Sequence, residues 1–279
     1  MTTDLIARLV PRRSWWPATR AGRVGLVLLV ATAGAALVGP FFAGSPDRSV
    51  APPFSPPDGD APLGTDFLGR DVLARLLTGG ESVLLYAGLA TLVAYAVGIT
   101  VGLAAGYLRS WPDPLLMRSV DVLLSFPSLV FILLFATAFG RGIGAVVMAT
   151  AVIQLPAIAR IIRTATLTQS ARGYVEAAVL RGESSSSVLR REILPNITRT
   201  LSADVGLRFT WSVLLIASVN FLGLGLQPPN ADWGLMVSEN RAGMSVALNP
   251  WAVLAPALML GLLTVAINLL GDAMSGDKK

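Results

Sequence analysis

Long stretches without a charged side chain alternate along this chain with short blocks rich in Arg and Asp. Uncharged windows lie between Arg23 and Asp47, Glu81 and Arg109, Asp121 and Arg141, Arg141 and Arg160, Arg208 and Asp232, and Arg241 and Asp272. Each supplies the roughly 17 to 25 residues that an α-helix needs to cross the hydrocarbon layer of a bilayer. The pattern predicts an all-α, polytopic membrane protein with six transmembrane helices. The two windows that share Arg141 are near the lower limit of length. Arg141 is therefore expected in a tight turn at a membrane surface, because a guanidinium at depth costs several kcal/mol.

Inside the windows, small and polar side chains predict how the helices meet. Ala90, Ala94, Gly98, Gly102 and Gly106 recur every fourth residue, which puts them on one helix face. Such a ridge lets a second helix approach closely, and packing is its expected use. Pro127, within Ser125-Phe126-Pro127-Ser128, is expected to kink the third span or end a turn near its start. Gln154 and Pro156 fall at membrane depth in the fourth span, where hydrogen bonding between helices is the expected role of the amide. Asp204 and Arg208 stand four apart in the favourable acid-first order and are expected to pair.

Between the first two spans, Ser45-Pro46, Pro52-Pro53 and Pro56-Pro57 are too broken for helix or strand and predict a rigid, extended linker. Leu68, Val72, Leu73, Leu76 and Leu77 then recur at helical spacing beside Arg70, Asp71 and Arg75. That predicts a short amphipathic helix, either lying on the membrane surface or packed on the ends of the bundle.

Composition agrees with lipid as the solvent: 53% of the residues are hydrophobic and 14% are charged. Where the charges fall sets the orientation. Arg8, Arg12, Arg13, Arg20 and Arg23 precede the first span, and Arg160, Arg163, Arg172, Arg181, Arg190, Arg191 and Arg199 crowd the segment between the fourth and fifth. By the positive-inside rule both segments face the cytoplasm, as do both termini when six spans lie between them. An Arg-rich start before an apolar run with Ala31-Thr32-Ala33 has the ingredients of a cleaved signal peptide. The run continues through Phe41-Phe42, however, which favours a retained span. The net charge of +5 fits this topology and anionic lipid, and no basic patch with interleaved aromatics points to nucleic acid. With no Cys and no His, the chain lacks disulfides, thiolate metal sites and the commonest general base. No cofactor is expected.

One polar island interrupts this pattern in the interior of the chain, YVEAAVLRGESSSSVLRREILPN from Tyr174 to Asn196. Tyr174 to Leu180 favour helix, Gly182 permits a sharp turn, and Ser184 can cap a second short helix running toward Ile193 before Pro195 stops it. The prediction is a helix-turn-helix projecting into the cytoplasm.

The island carries Glu176-Ala177-Ala178, then Gly182, then Leu194-Pro195, which resembles the coupling loop of ABC importer permeases. Four further segments strengthen the resemblance: PLGTDFLGRDVLARLL at 62 to 77, SVDVLLSFPSLV at 119 to 130, NFLGLGLQPPNADWGLM at 220 to 236 and NLLGDAM at 268 to 274. Together they closely resemble the C-type subunit of the dipeptide, oligopeptide and nickel class, from about Pro62 to Met274. The resemblance implies a type I importer-like bundle in the bacterial cytoplasmic (inner) membrane. It implies as partners a second, homologous permease subunit, two cytoplasmic ATP-binding subunits and an extracytoplasmic solute-binding protein. It also implies that Glu176, Ala177, Ala178, Gly182, Leu194 and Pro195 couple the bundle to an ATPase. The slim Ala177 and Ala178 would enter a groove, Glu176 would meet a basic partner residue, and Gly182 would set the angle between the short helices.

On these boundaries the chain divides into a cytoplasmic segment at 1–22, a first span at 23–43, an outer linker with its amphipathic helix at 44–81, a permease core of five spans at 82–272 and a tail at 273–279. The coupling loop lies at 171–199. No GxxxxGK[ST] phosphate loop is present, so ATP hydrolysis falls to the partners and the chain is a transport subunit, not an enzyme. Short peptides are the expected cargo, with nickel or another small solute as the alternative. A secondary transporter would call for ionisable residues at midplane and an internal repeat, and an intramembrane enzyme for a catalytic pair within the spans. Neither is found. Three features depart from the family's pattern: Arg181 where an apolar residue is common, the four-residue run Ser184 to Ser187, and Glu192 where a basic group is frequent.

Overall fold

In the computed structural model of the protein, residues 19–108, 112–140, 142–245 and 249–275 are described. Arg141 lies outside them. Helices dominate, and the pairing between extended segments among the described residues is two isolated bridges, Ser49 with Arg70 and Thr65 with Asp71. Helix α1 spans Arg20–Val38, with the Thr19 hydroxyl accepting from the Gly22 amide at 3.1 Å to cap it. Helix α2 spans Val72–Leu108, α3 Pro112–Leu124, α4 Ser128–Phe139 and α5 Ile143–Ser170. Helix α6 is the short Gly173–Leu180, α7 is Leu194–Phe221, α8 is Trp233–Ser245 and α9 is Trp251–Ser275. Helical structure thus occupies each of the six uncharged windows.

Among the described residues, four stretches are long and apolar enough to cross a membrane: Arg20–Phe41, Val72–Leu108, Ile143–Ser170 and Trp251–Ala273. The third window is different. Helices α3 and α4 meet at a 93° bend across Ser125-Phe126-Pro127, so this window is a broken span or a re-entrant loop. Pro127 has no amide hydrogen to continue α3, and it stands as the residue before α4. Helix α7 has the length of a span at 28 residues, but Asp204 and Arg208 reduce the apolar character of its first half.

The region before α2 departs from the sequence reading in two ways. Residues 72–81 are not a separate surface helix. They are the first turns of α2, which runs 37 residues without a break, about 55 Å at 1.5 Å per residue and well beyond a hydrocarbon core of about 30 Å. The Pro-rich stretch is also not extended. It doubles back, with Val50 N donating to Gly69 O at 2.8 Å, Phe54 N to Asp66 O at 3.0 Å and Asp66 N to Arg70 O at 2.9 Å. Buried charges hold this fold. Arg75 donates to Glu239 of α8 at 3.0 Å and to the carbonyl oxygens of Pro229 and Asn230, while Arg70 Nε meets Asp66 at 2.6 Å. Sequence reasoning also missed α8, because Glu239 and Arg241 keep it out of any uncharged window. Its start is fixed by Asp232, which accepts from the amides of Gly234 and Leu235 and from Ser82 and Asn220. Burial pushes the Asp232 carboxyl up, while these four donors pull it down. Trp233 is fully buried and its indole N–H donates to Leu76 O at 2.8 Å, tying α8 to α2.

The small-residue ridge of α2 packs on α5. A Cβ added to Gly98, Gly102 or Gly106 would lie 2.5 Å from Ile158, 2.6 Å from Ile162 or 2.7 Å from Thr166, so two four-residue stripes interlock along one seam. Polar side chains bridge the same helices. Gln154 of α5 donates to the Ser212 hydroxyl of α7 at 2.7 Å, and Ser212 is 2.8 Å from the Thr91 hydroxyl of α2. Asp204 pairs with Arg208 at 3.1 Å and accepts from the Tyr95 hydroxyl at 2.7 Å. The expected uses of Gln154 and of Asp204 with Arg208 are thus both observed.

A candidate coupling element between α5 and α7

After Ser170 the chain turns through Ala171 and Arg172, and the Arg172 carbonyl accepts from the Val175 and Glu176 amides to start α6. The helix ends after eight residues in a Schellman motif: Gly182 N donates to Val179 O at 2.9 Å and Glu183 N to Ala178 O at 3.2 Å. The motif needs a residue in the left-handed region, and Gly182 supplies it at φ +80°. A Cβ there would meet nothing within 4 Å. The demand on Gly182 is therefore conformational, not spatial.

Beyond the turn, the Ser184 hydroxyl accepts from the Ser187 amide at 3.4 Å and caps a short turn at Ser185–Ser187. Glu183 braces this corner, accepting from Arg181 at 2.7 Å and from the Ser187 hydroxyl at 2.9 Å. The Arg181 guanidinium, helped by that hydroxyl, holds the Glu183 carboxyl below its ordinary range. Two of the residues that depart from the family's pattern, Arg181 and Ser187, thus work together on Glu183. The chain then widens into a π-helical stretch at Val188–Ile193 and runs straight into α7. Pro195 does not stop the second helix. It lies in the first turn of α7, directly after the π-helical stretch, and the helix continues through it.

The six residues singled out by resemblance all fall on this helix-turn-helix, on different faces. Glu176 and Ala177 are exposed on α6, Gly182 is exposed at the turn and Pro195 at the start of α7. Leu194 is half-buried. Ala178 points inward and is completely buried with Val175 among Val188, Ile193, Ile197 and Ile162. Its short side chain lets α6 lie close on the bundle. The outward face includes two apolar residues that the sequence reading passed over, Leu180 at 82% exposure and Val179 at 50%. Their signal was present as apolar side chains inside a polar island. Tyr174 ties the first turn of α6 back to α5 by donating to Gln169 Oε1 at 2.7 Å. Among the described residues, no group of three or more Asp or Glu side chains is placed to hold a metal ion. The element offers an apolar tip beside a carboxylate on a braced mount, an arrangement suited to being gripped.

Two ion pairs join α3 to α5 at the end of the bundle that carries α6. Arg163 makes a two-pronged pair with Asp113, both contacts at 2.6 Å, and Arg160 pairs with Asp121 through a single contact.

The chain matches the family described as binding-protein-dependent transport system inner membrane component over residues 98–276, a range that includes α6 and its turn. It is 38% identical over 212 residues to a glutathione transport system permease protein of Pectobacterium atrosepticum, covering 76% of this chain and 70% of that one. A Brucella suis protein named as the permease of a peptide transport system is 36% identical over 270 residues, covering 96% of this chain and 88% of that one. Among solved structures, the MetNI methionine ABC transporter in an inward-facing conformation matches with a TM-score of 0.59 at 17% identity. The match covers 74% of this chain and 97% of that one, and at this identity the likeness is one of fold.

Proposed function

Since the chain belongs to the binding-protein-dependent transport system inner membrane component family, we propose that it is one of two homologous membrane subunits of an ATP-driven importer of short peptides. In this reading an extracytoplasmic binding protein delivers the cargo and two ATP-binding subunits grip the cytoplasmic loops. Residues 171–199 are the coupling loop, 1–22 and 273–279 are cytoplasmic, 44–81 lie outside, and five spans follow the first. Glu176, Ala177 and Leu180 meet the ATPase, Ala178 and Leu194 seat the element on the bundle, and Gly182 and Pro195 set the direction of its two arms. The names of the peptide and glutathione relatives support the cargo.

The observation that carries the mechanism is that the inner face of α6 is buried on the bundle. Val175 and Ala178 are buried in one apolar cluster with Ile162 of α5, Ile193 of the π-helical stretch and Ile197 of α7, while Leu180 stands out into solvent. A push on the exposed tip therefore reaches two long helices through close-packed side chains rather than through a slack loop. Closure of the ATPases then biases the bundle between two states, inward-open and outward-open.

Gly182→Val tests this reading. A β-branched residue in the left-handed region costs roughly 1 to 3 kcal/mol, which unseats the turn but not the spans. The variant is expected to insert normally, to lose most ATPase co-purification and to cut uptake of a labelled dipeptide several-fold. Normal co-purification and uptake in the variant would refute the coupling role, and no dipeptide uptake by the wild-type importer would refute the cargo.

A further inference from the structure

Two grooves, of 450 and 360 Å³, lie along α5 on the side that carries α6, and they share Arg160 and Thr164. Asp121 and Met117 of α3 line the smaller, and Thr168, Gln169 and Ile197 line the larger.

The two ion pairs between α3 and α5 differ in kind. The Asp113–Arg163 pair is bidentate with side chains 16% and 31% exposed, whereas Asp121–Arg160 is held by a single contact with side chains 53% and 50% exposed. The first fastens the helices. The second can open without parting them, and a half-exposed, single-contact pair gives up little when it does.

We propose that the Asp121–Arg160 pair is an exchangeable latch that receives the two charged ends of a short peptide on its way out of the bundle, an inference that rests on peptides being the cargo. The peptide carboxylate takes the place of Asp121 on Arg160, and the peptide ammonium takes the place of Arg160 on Asp121. Both protein charges remain paired after the exchange. A lone cation or anion would pair with one and leave the other to water. In an extended dipeptide the ends are about 7 Å apart, so the two side chains must separate to accept them. Thr164 and Thr168 donate their hydroxyl hydrogens to the carbonyl oxygens of Arg160 and Thr164, each at 3.0 Å, which leaves oxygen lone pairs to accept from peptide amides. The far end of the larger groove is Gln169, the residue that holds Tyr174 of α6. Occupancy of the groove therefore bears on the mount of the coupling element.

Because the chain has no Cys, Ala165→Cys gives this subunit a single thiol in the lining of the larger groove, at a residue with no part in holding the peptide. In the assembled importer without its binding protein, maleimide modification of that thiol is read on this chain by mass spectrometry. Alanyl-alanine is expected to slow modification, and its N-acetyl and C-terminal amide derivatives are not. Arg160→Gln is expected to weaken the protection by roughly two- to fivefold through loss of a half-exposed charged contact, and Asp121→Asn serves if the first variant fails to assemble. Equal protection by all three compounds, no protection by any, or protection that survives the variants overturns the latch. Uptake of alanyl-alanine by the wild-type importer separates the two levels: uptake without thiol protection removes the latch alone, while no peptide uptake removes the cargo reading.

Discussion

At the scale of single residues, the seam between α2 and α5 depends on missing atoms. An added Cβ at Gly102 would lie 2.6 Å from the Ile162 Cβ and 2.7 Å from the Ala159 carbonyl oxygen, and the second of these is backbone that cannot rotate away. Gly88, on the same helix, would meet nothing within 4 Å. Gly102→Leu is expected to lower stability by about 1 to 3 kcal/mol or more through overpacking, while Gly88→Leu leaves it nearly unchanged. Thermal unfolding of the two variants in detergent compares them directly, and equal midpoints would mean that the seam is not close-packed. The four-residue spacing of Ala90 to Gly106 announced a ridge in the sequence. It could not announce the partner, because Ile158, Ile162 and Thr166 look like ordinary span residues until the helices are docked.

At the scale of elements, the loop before α2 and helix α8 form one unit whose members are far apart in the chain. Arg75 is fully buried between Glu239 and Asp66, with Arg70 joining the same two carboxylates. Burial pushes the Glu239 carboxyl up, against the pull of Arg75 and Arg70. The sequence reading noticed Arg70, Asp71 and Arg75 as the polar side of an amphipathic helix, which was local information correctly read. What redirected them was Glu239, more than 160 residues later in the chain and on a helix that its own charges disguised. Arg75→Met alone strands buried carboxylate charge and is expected to cost about 3 to 5 kcal/mol. Arg75→Met combined with Glu239→Met keeps the Arg70–Asp66 pair intact and removes one charge of each sign, so it is expected to be the milder change. Thermal inactivation of the assembled transporter ranks the two, and a double variant at least as damaging as the single would show that the network is not charge-balanced in this way.

At the scale of the whole molecule, the 93° break between α3 and α4 decides the topology. Take the loop before α2 as outer. Helix α2 then returns to the inner side, α3 with α4 leads out again if the pair crosses, and α5 brings residues 171–199 inside. If the pair is re-entrant, α5 leaves instead of returning and residues 171–199 end up outside with the Pro-rich loop. The Arg residues from Arg160 to Arg199 argue for the first path, since a short outer loop so rich in Arg would violate the positive-inside rule. Composition identified the apolar windows and the basic segments. It did not reveal that the third window is bent, because Pro127 marks a break without fixing its angle. The cysteine-free chain makes the test direct: Asp60→Cys and Ser186→Cys each put one thiol at an exposed position, in the Pro-rich loop and in the helix-turn-helix at 171–199 respectively. In intact cells a membrane-impermeant maleimide is expected to label Asp60→Cys at once and Ser186→Cys only after permeabilisation. Labelling of both in intact cells would make α3 with α4 a re-entrant pair, and the coupling role proposed for residues 171–199 would fall, since they could not then face an ATPase.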